Sequence, residues 1–205
     1  MITFKTNLRT KFVWSVASLL VLAATAARAS EPTAFELINE GNRYVGEQSK
    51  DKVMQIRSEK SVGTLTPNIW TITYYDPTAS MKGTDVKFDA GKMLDVKRPF
   101  RLLERAGGSI ALDRDKLKVD SDRALKTALA EPILKDLKIV ASQLRLERVT
   151  EGGIGAGGVG EGVWKVKLWA AKLRNPNHDA DIGEIWITAN DGKIIKTDFH
   201  INRVD

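Results

Sequence analysis

The 205-residue sequence contains no cysteine and only two histidines, His178 and His200. Absence of cysteine excludes disulfides, a thiol nucleophile, a thiolate metal site and a lipid-modified cysteine. Two histidines are too few for a three-histidine zinc site, and no serine has the flanking residues of a nucleophile elbow. The sequence therefore assigns no catalytic, cofactor-binding or metal-ligating residue, and we expect a protein that is not an enzyme.

The sequence also has little excess charge of either sign. It carries 32 Lys and Arg against 26 Asp and Glu, a net charge of +6. Four of the basic residues and none of the acidic ones lie in residues 1–29, so the remaining chain has a net charge of +2. Such a nearly neutral chain lacks the basic surface of nucleic-acid-binding proteins, which excludes that class.

Long apolar runs are rare, and the main one lies near the N-terminus, at 12–24. A membrane-spanning helix needs about 20 apolar residues, which this run does not reach. Three basic residues precede it, and Ala27-Arg28-Ala29 follows it as a small-x-small cleavage site. We therefore predict a signal peptide over 1–29, cleavage after Ala29 and a periplasmic or secreted protein that is not membrane-bound after cleavage.

The rest of the chain shows one order of elements twice. Apolar spacing predicts a helix over 33–47 and then strands near 54–56, 70–75 and 86–88. The same spacing predicts a second helix over 121–131 and strands near 140–146, 164–169 and 185–188. Trp164 corresponds to Trp70, and a Gly-Lys turn follows the last predicted strand of each half. We infer an internal duplication in which both tryptophans are buried, each beneath the helix of its own half.

This order, with the turns at Gly91-Lys92 and Gly192-Lys193 and the apolar pairs that follow them, resembles the PepSY domain. The resemblance implies an α+β fold of two PepSY-like repeats, each a helix packed on an antiparallel sheet, similar to the β-lactamase-inhibitor-like fold. The repeats would span 30–100 and 121–205, with a connector over 101–120. The family occurs in propeptides of secreted peptidases, so the resemblance also implies an inhibitory or other binding role. No peptidase domain follows in this sequence, so we expect any inhibition to act in trans.

Two motifs that suggest ligand sites have a simpler interpretation. The glycine-rich run 155–160 matches GxGxxG, but a strand pattern follows it instead of the helix that a dinucleotide site needs, so we interpret it as a loop. Asn177, Asp179 and Asp181 alternate as calcium ligands do. The positions where an EF-hand loop has glycine and glutamate hold Ile182 and Thr188, which favours a solvated loop and leaves weak calcium binding as an alternative.

Strand alternation predicts a mixed aromatic and cationic surface. If the apolar alternate positions face the helices, the opposite face carries a set of five side chains: Tyr75, Lys165, Lys167, Trp169 and Trp186. Tryptophan and tyrosine are enriched at the energetic centres of protein interfaces. We hypothesise that these five residues bind a partner; the alternative is that another part of the chain covers this face, which would place Trp169 and Trp186 in the core.

Two functions remain open at this point. The preferred one is an exported, non-enzymatic binding module that engages an envelope or extracellular protein or peptide through a sheet face or edge, as a peptidase inhibitor or regulator would. The alternative is an envelope sensor of a small ligand or of calcium that uses the acidic residues around 174–181. The sequence identifies neither the partner nor the oligomeric state.

Overall fold

Eight antiparallel strands form one continuous sheet in the computed structural model, which describes residues 31–98, 111–148 and 161–205. The order across the sheet is β4-β3-β2-β1-β5-β6-β7-β8. Apolar side chains alternate with polar ones along the strands, so one face of the sheet packs on the core and the other is mainly polar, with Gln55, Glu147 and Val163 buried at one end of it. The strands are β1 Val53–Ser58, β2 Ile69–Tyr75, β3 Gly83–Asp89, β4 Lys92–Lys97, β5 Ile139–Arg148, β6 Gly162–Ala171, β7 Asp179–Thr188 and β8 Ile194–Phe199.

Two short α-helices precede β1 and β5: α1, Ala34–Gly41, and α2, Ser121–Leu129. Helix α1 begins with a capping box, in which Thr33 and Glu36 each accept a hydrogen bond from the other's backbone N–H. Helix α2 ends three residues before Pro132, which cannot continue a helix. The described chain also contains single 3-10 turns at Asn42–Tyr44, Glu47–Ser49, Arg114–Lys116, Pro132–Leu134 and Ile201–Val204.

The N-termini of the two helices meet. The Ala34 N–H donates to the Ser121 hydroxyl at 3.0 Å, and the Phe35 N–H donates to the Asp120 carboxylate at 3.1 Å. The first N–H groups of a helix have no partner within the helix and need one elsewhere. Side chains at the start of α2 thus cap α1, which fixes the two helices to each other at one point above the sheet.

A single hydrophobic core lies between the helices and the sheet. Trp164 is fully buried, stacks on Phe35 of α1 with 6.1 Å between ring centroids, and donates from Nε1 to the Val119 carbonyl at 2.8 Å. Trp70 is 2% exposed and lines a small cavity with Leu125 of α2. Both tryptophans are buried, as the sequence predicts, and α1 packs on β2 while α2 packs on β6. Trp164 also stacks on the helix of the first half, so the two halves share this core.

The prediction of two α+β repeats, each with a helix packed on its own sheet, is wrong. The described part of the chain is mostly one antiparallel sheet of eight strands with two helices of eight and nine residues. Strand β1 pairs with β5, with Ile56 opposite Leu146, so the two halves share one sheet instead of forming two. The helix predicted over 33–47 ends at Gly41, where a side chain would collide with the buried hydroxyl of Tyr74.

Some sequence predictions lie outside the described residues. These are the signal peptide at 1–29, the first half of the connector and the whole glycine-rich run 155–160. Within the described part of the chain, no helix has the length and apolarity required to cross a bilayer.

Candidate functional site

The sheet face opposite the helices, here called the open face, carries no described helix. Its side chains come from the alternate positions that do not enter the core. One row of opposed residues crosses the whole sheet, one residue from each strand. In sheet order this row is Asp95, Lys87, Thr71, Arg57, Arg145, Lys165, Trp186 and Lys196. Cations therefore dominate the middle of the open face.

Trp186 lies half-buried in this row between two lysines. The Nζ of Lys165 is 4.2 Å from the centre of the indole ring, and the Nζ of Lys196 is 5.0 Å from it. The indole Nε1 donates to the Glu184 carboxylate at 2.7 Å. Cation–π contacts at partly exposed sites contribute about 0.5–1 kcal/mol each. The ring is thus held in one orientation by its neighbours on β6 and β8.

Trp169 forms a second cluster of the same kind. It is half-buried, with the Nζ of Lys60 4.8 Å and the Nζ of Lys167 5.3 Å from the ring centre. Trp169 lies four residues along β6 from Lys165, the register partner of Trp186. This spacing places the two indoles roughly 14 Å apart. We call the set of Lys60, Lys165, Lys167, Trp169, Trp186 and Lys196 the tryptophan–lysine surface.

Each of these lysines also contacts a carboxylate. Lys60 pairs with Asp179 and Lys167 with Asp181, both at 2.7 Å between nitrogen and oxygen. Partial burial raises the pKa of Asp181, but hydrogen bonds from Lys167 and from the Gly183 N–H outweigh it and lower that pKa below its ordinary value. The carboxylate stays ionised at neutral pH and keeps the lysine beside the ring.

The lysines near Trp186 are held in the same way. Lys165 pairs with Glu147 at 2.5 Å, and Lys196 lies 3.6 Å from Asp198. The Glu147 side chain is only 5% exposed and also accepts a hydrogen bond from Gln55 Nε2 at 3.2 Å. A buried carboxylate with these partners fixes the ammonium group of Lys165 and, through it, the indole ring.

The structure brings four of the five predicted partner-binding residues together: Lys165, Lys167, Trp169 and Trp186. It does not bring Tyr75 to them, because Tyr75 ends β2, three strands from β6 and toward the opposite end of the sheet. Strand spacing and residue rise put Tyr75 roughly 30 Å from Trp169. The interface hypothesis therefore continues without Tyr75.

Sequence reasoning missed Lys60 and Lys196. Lys60 follows β1 and reaches Trp169 only because β1 pairs with β5, a contact between distant parts of the chain. Alternation from Ile194 could not have placed Lys196, because Ile194 pairs with the core residue Ile187 and a register shift then aligns Lys196 with Trp186.

A cleft of about 650 Å³ adjoins the tryptophan–lysine surface on the open face. It lies over β1 to β5, and Arg145 in its wall is opposite Lys165. We call it the arginine cleft; five of its lining residues are basic and three are acidic. The basic residues are Arg57, Lys87, Lys97, Arg98 and Arg145, and the acidic ones are Glu59, Asp85 and Asp95.

The acidic residues that suggested calcium binding form ion pairs and a hydrogen bond with neighbouring side chains in this structure. Asp179 and Asp181 belong to β7 and pair with lysines, while Glu184 accepts from the Trp186 indole. Across 31–98, 111–148 and 161–205, no group of three or more histidine and acidic side chains is arranged to hold a metal ion.

Comparison with known proteins found no matching family model, no matching curated protein and no matching solved structure. These results lend no support to the resemblance to PepSY domains. Function is therefore inferred from the geometry of the open face.

Proposed function

We propose that this protein is an exported, non-enzymatic binding module that recognises another protein or a peptide through the open face of its sheet. The observation that carries the proposal is the pair of half-buried tryptophans, each held between two lysines, on a face that no described helix covers. Export rests on the predicted signal peptide alone.

The residue types favour a protein partner. Tryptophan is the residue most typical of interface hot spots, where a few side chains supply most of the binding free energy. Trp169 and Trp186 each retain exposed ring surface that a partner can bury. The surrounding lysines and carboxylates form the kind of polar rim that surrounds such anchors.

The fixed side chains also lower the cost of binding. Immobilising a side chain with several rotamers at an interface costs about 0.5–1.5 kcal/mol. Here Trp186 is already held by Lys165, Lys196 and Glu184 before any partner arrives. More of the interaction free energy is then available as affinity.

Site-specific photo-crosslinking tests the proposal in the producing cell. Benzoylphenylalanine replaces Trp186 in one variant and Tyr44 in a control, because Tyr44 is an aromatic residue, 37% exposed, in the 3-10 turn after α1. We expect a discrete protein adduct from position 186 and none of the same mass from position 44. Equal adducts from both positions, or none from 186, would contradict the proposal.

The described residues do not support the alternative of a calcium sensor. Asp179 and Asp181 are neutralised by Lys60 and Lys167, so a cation would have to displace two ion pairs to bind them. No second function is proposed.

A further inference from the structure

A groove of about 680 Å³ lies at the end of the sheet that carries Trp169. Three segments line it: residues 60–65 of the loop after β1, residues 138–141 at the start of β5, and the turn 176–179 before β7. Strand β5 lies between β1 and β7 in the sheet order, so its segment lies between the other two. This groove is separate from the arginine cleft and shares no lining residue with it.

The loop after β1 is held against β5 at two points. The Ser61 N–H donates to the Ser142 carbonyl at 2.8 Å, and the Ser142 hydroxyl donates to the Leu65 carbonyl at 2.5 Å. The Ser142 N–H donates in turn to the Ser61 hydroxyl at 2.9 Å. Both serines are buried, where such hydrogen bonds are strong, so the segment between Ser61 and Leu65 is fixed before any ligand binds.

The backbone N–H groups of this fixed segment have no acceptor. Within residues 31–98, 111–148 and 161–205, the N–H groups of residues 62–65 donate no hydrogen bond. Gly63 has a φ of +74°, in the left-handed region. Successive N–H groups around such a residue form concave sites that bind anions. An anionic ligand in the groove would supply the acceptor that these donors lack.

Lys138 adds a positive charge to the same groove. Its side chain is exposed and forms no ion pair with any described residue. Lys60 and Asp179, which also line the groove, pair with each other at 2.7 Å and so leave Lys138 uncompensated. A carboxylate can therefore accept hydrogen bonds both from the loop N–H groups and from Lys138, and bonds to an ionised acceptor are the strong ones.

We propose that this groove binds the C-terminal carboxylate of a polypeptide, and that this C-terminus belongs to the partner bound by the tryptophan–lysine surface. The inference rests on the proposed function. The groove and that surface are continuous, because Lys60 lines the groove and its Nζ lies 4.8 Å from the centre of the Trp169 ring.

The apolar part of the lining favours a chain terminus over an acidic side chain. Leu65, Ile139 and Val140 are half-buried and line the groove together with the loop. The last residue of a chain brings its carboxylate and an apolar side chain to one place, which aspartate and glutamate do not. Capture of a C-terminal carboxylate by backbone N–H groups is a known mode of peptide recognition.

A fluorescein-labelled pentapeptide, Ala-Ala-Ala-Leu-Val with a free C-terminus, is the probe, and fluorescence anisotropy is the measurement. The same peptide with a C-terminal amide is the matched control ligand. We expect the free acid to bind at least about tenfold more tightly than the amide, because the amide lacks the charge that strengthens the hydrogen bonds. In amide NMR spectra of the native protein, the signals of Gly63 and Thr64 should shift with the free acid and not with the amide.

Lys138→Gln tests the cation. Lys126→Gln is its control, because it removes the same charge from an exposed lysine of α2, on the other side of the sheet. We expect Lys138→Gln to weaken binding of the free acid at least about threefold and the control to weaken it less than about 1.5-fold. Circular dichroism checks that both variants are folded, and the comparison of the two peptides needs no variant.

Three results would overturn the inference: equal affinity for the two peptides, no binding of the free acid at millimolar concentration, or equal losses in both variants. Acetate that competes as strongly as the peptide would assign the loop to small free anions and would also overturn it. Any of these results with retained crosslinking at position 186 would contradict this inference and leave the proposed function intact.

Discussion

Replacing Trp164 with phenylalanine tests whether one core joins the two halves. The change removes the hydrogen bond from Nε1 to the Val119 carbonyl and leaves that buried acceptor without this donor. Such a loss costs about 1–3 kcal/mol, and the smaller ring adds a cavity beside Phe35. We expect a total loss of about 2–4 kcal/mol in the free energy of unfolding.

Urea denaturation followed by far-ultraviolet circular dichroism measures this loss without depending on tryptophan fluorescence. For a chain of this size, each 1 kcal/mol lowers the Tm by about 2–4 °C, so thermal melting gives an independent value. Trp186→Phe is the matched control, since the same atoms are removed from a half-buried ring, and it should cost less than about 1 kcal/mol. Equal losses in the two variants would refute the placement of Trp164 at the junction of the halves.

Two further predictions concern acid stability and backbone strain. Burial raises the pKa of Asp76, but hydrogen bonds from Thr78 and Thr84 outweigh it and lower that pKa to about 2. In the unfolded chain the pKa of an aspartate is about 3.9, so ionised Asp76 stabilises the fold above about pH 4, and this stabilisation is lost as the pH falls toward 2. Asp76→Asn should therefore destabilise the protein at pH 7 and remove the loss of stability between pH 4 and 2, as measured by unfolding at a series of pH values. Gly183 has a φ of +106°, and a Cβ there would lie 2.0 Å from a backbone carbonyl of β8, so Gly183→Ala should cost more than about 1 kcal/mol by urea denaturation. A cost near zero would contradict the close β7–β8 approach.

The local pattern predicted the faces of the strands well. Trp164, Val166 and Leu168 alternate with polar residues, and all three lie in the core, while Lys165 and Lys167 lie on the open face. Period-two alternation needs no knowledge of strand partners, which is why it can be read from the sequence.

The arrangement of the strands could not be read in the same way. Pairing of Ile56 with Leu146 joins residues far apart in sequence, and nothing local distinguishes one shared sheet from two separate ones. The same limit explains why Tyr75 was wrongly grouped with Trp169. The two residues lie on the same face of the sheet but toward opposite ends of it. Alternation assigns a residue to a face but not to a position on it.

The affinity of the crosslinked partner for a Trp169→Ala/Trp186→Ala variant tests the central claim most directly. Both variant and native protein are purified, and their free energies of unfolding are measured beside their Kd values. We predict a loss of about 2–4 kcal/mol in stability, the sum of the four cation–π contacts removed, and a Kd at least about thirtyfold weaker, since a hot-spot tryptophan contributes about 2 kcal/mol or more. An unchanged Kd in a folded double variant would contradict the claim that the open face is the binding surface.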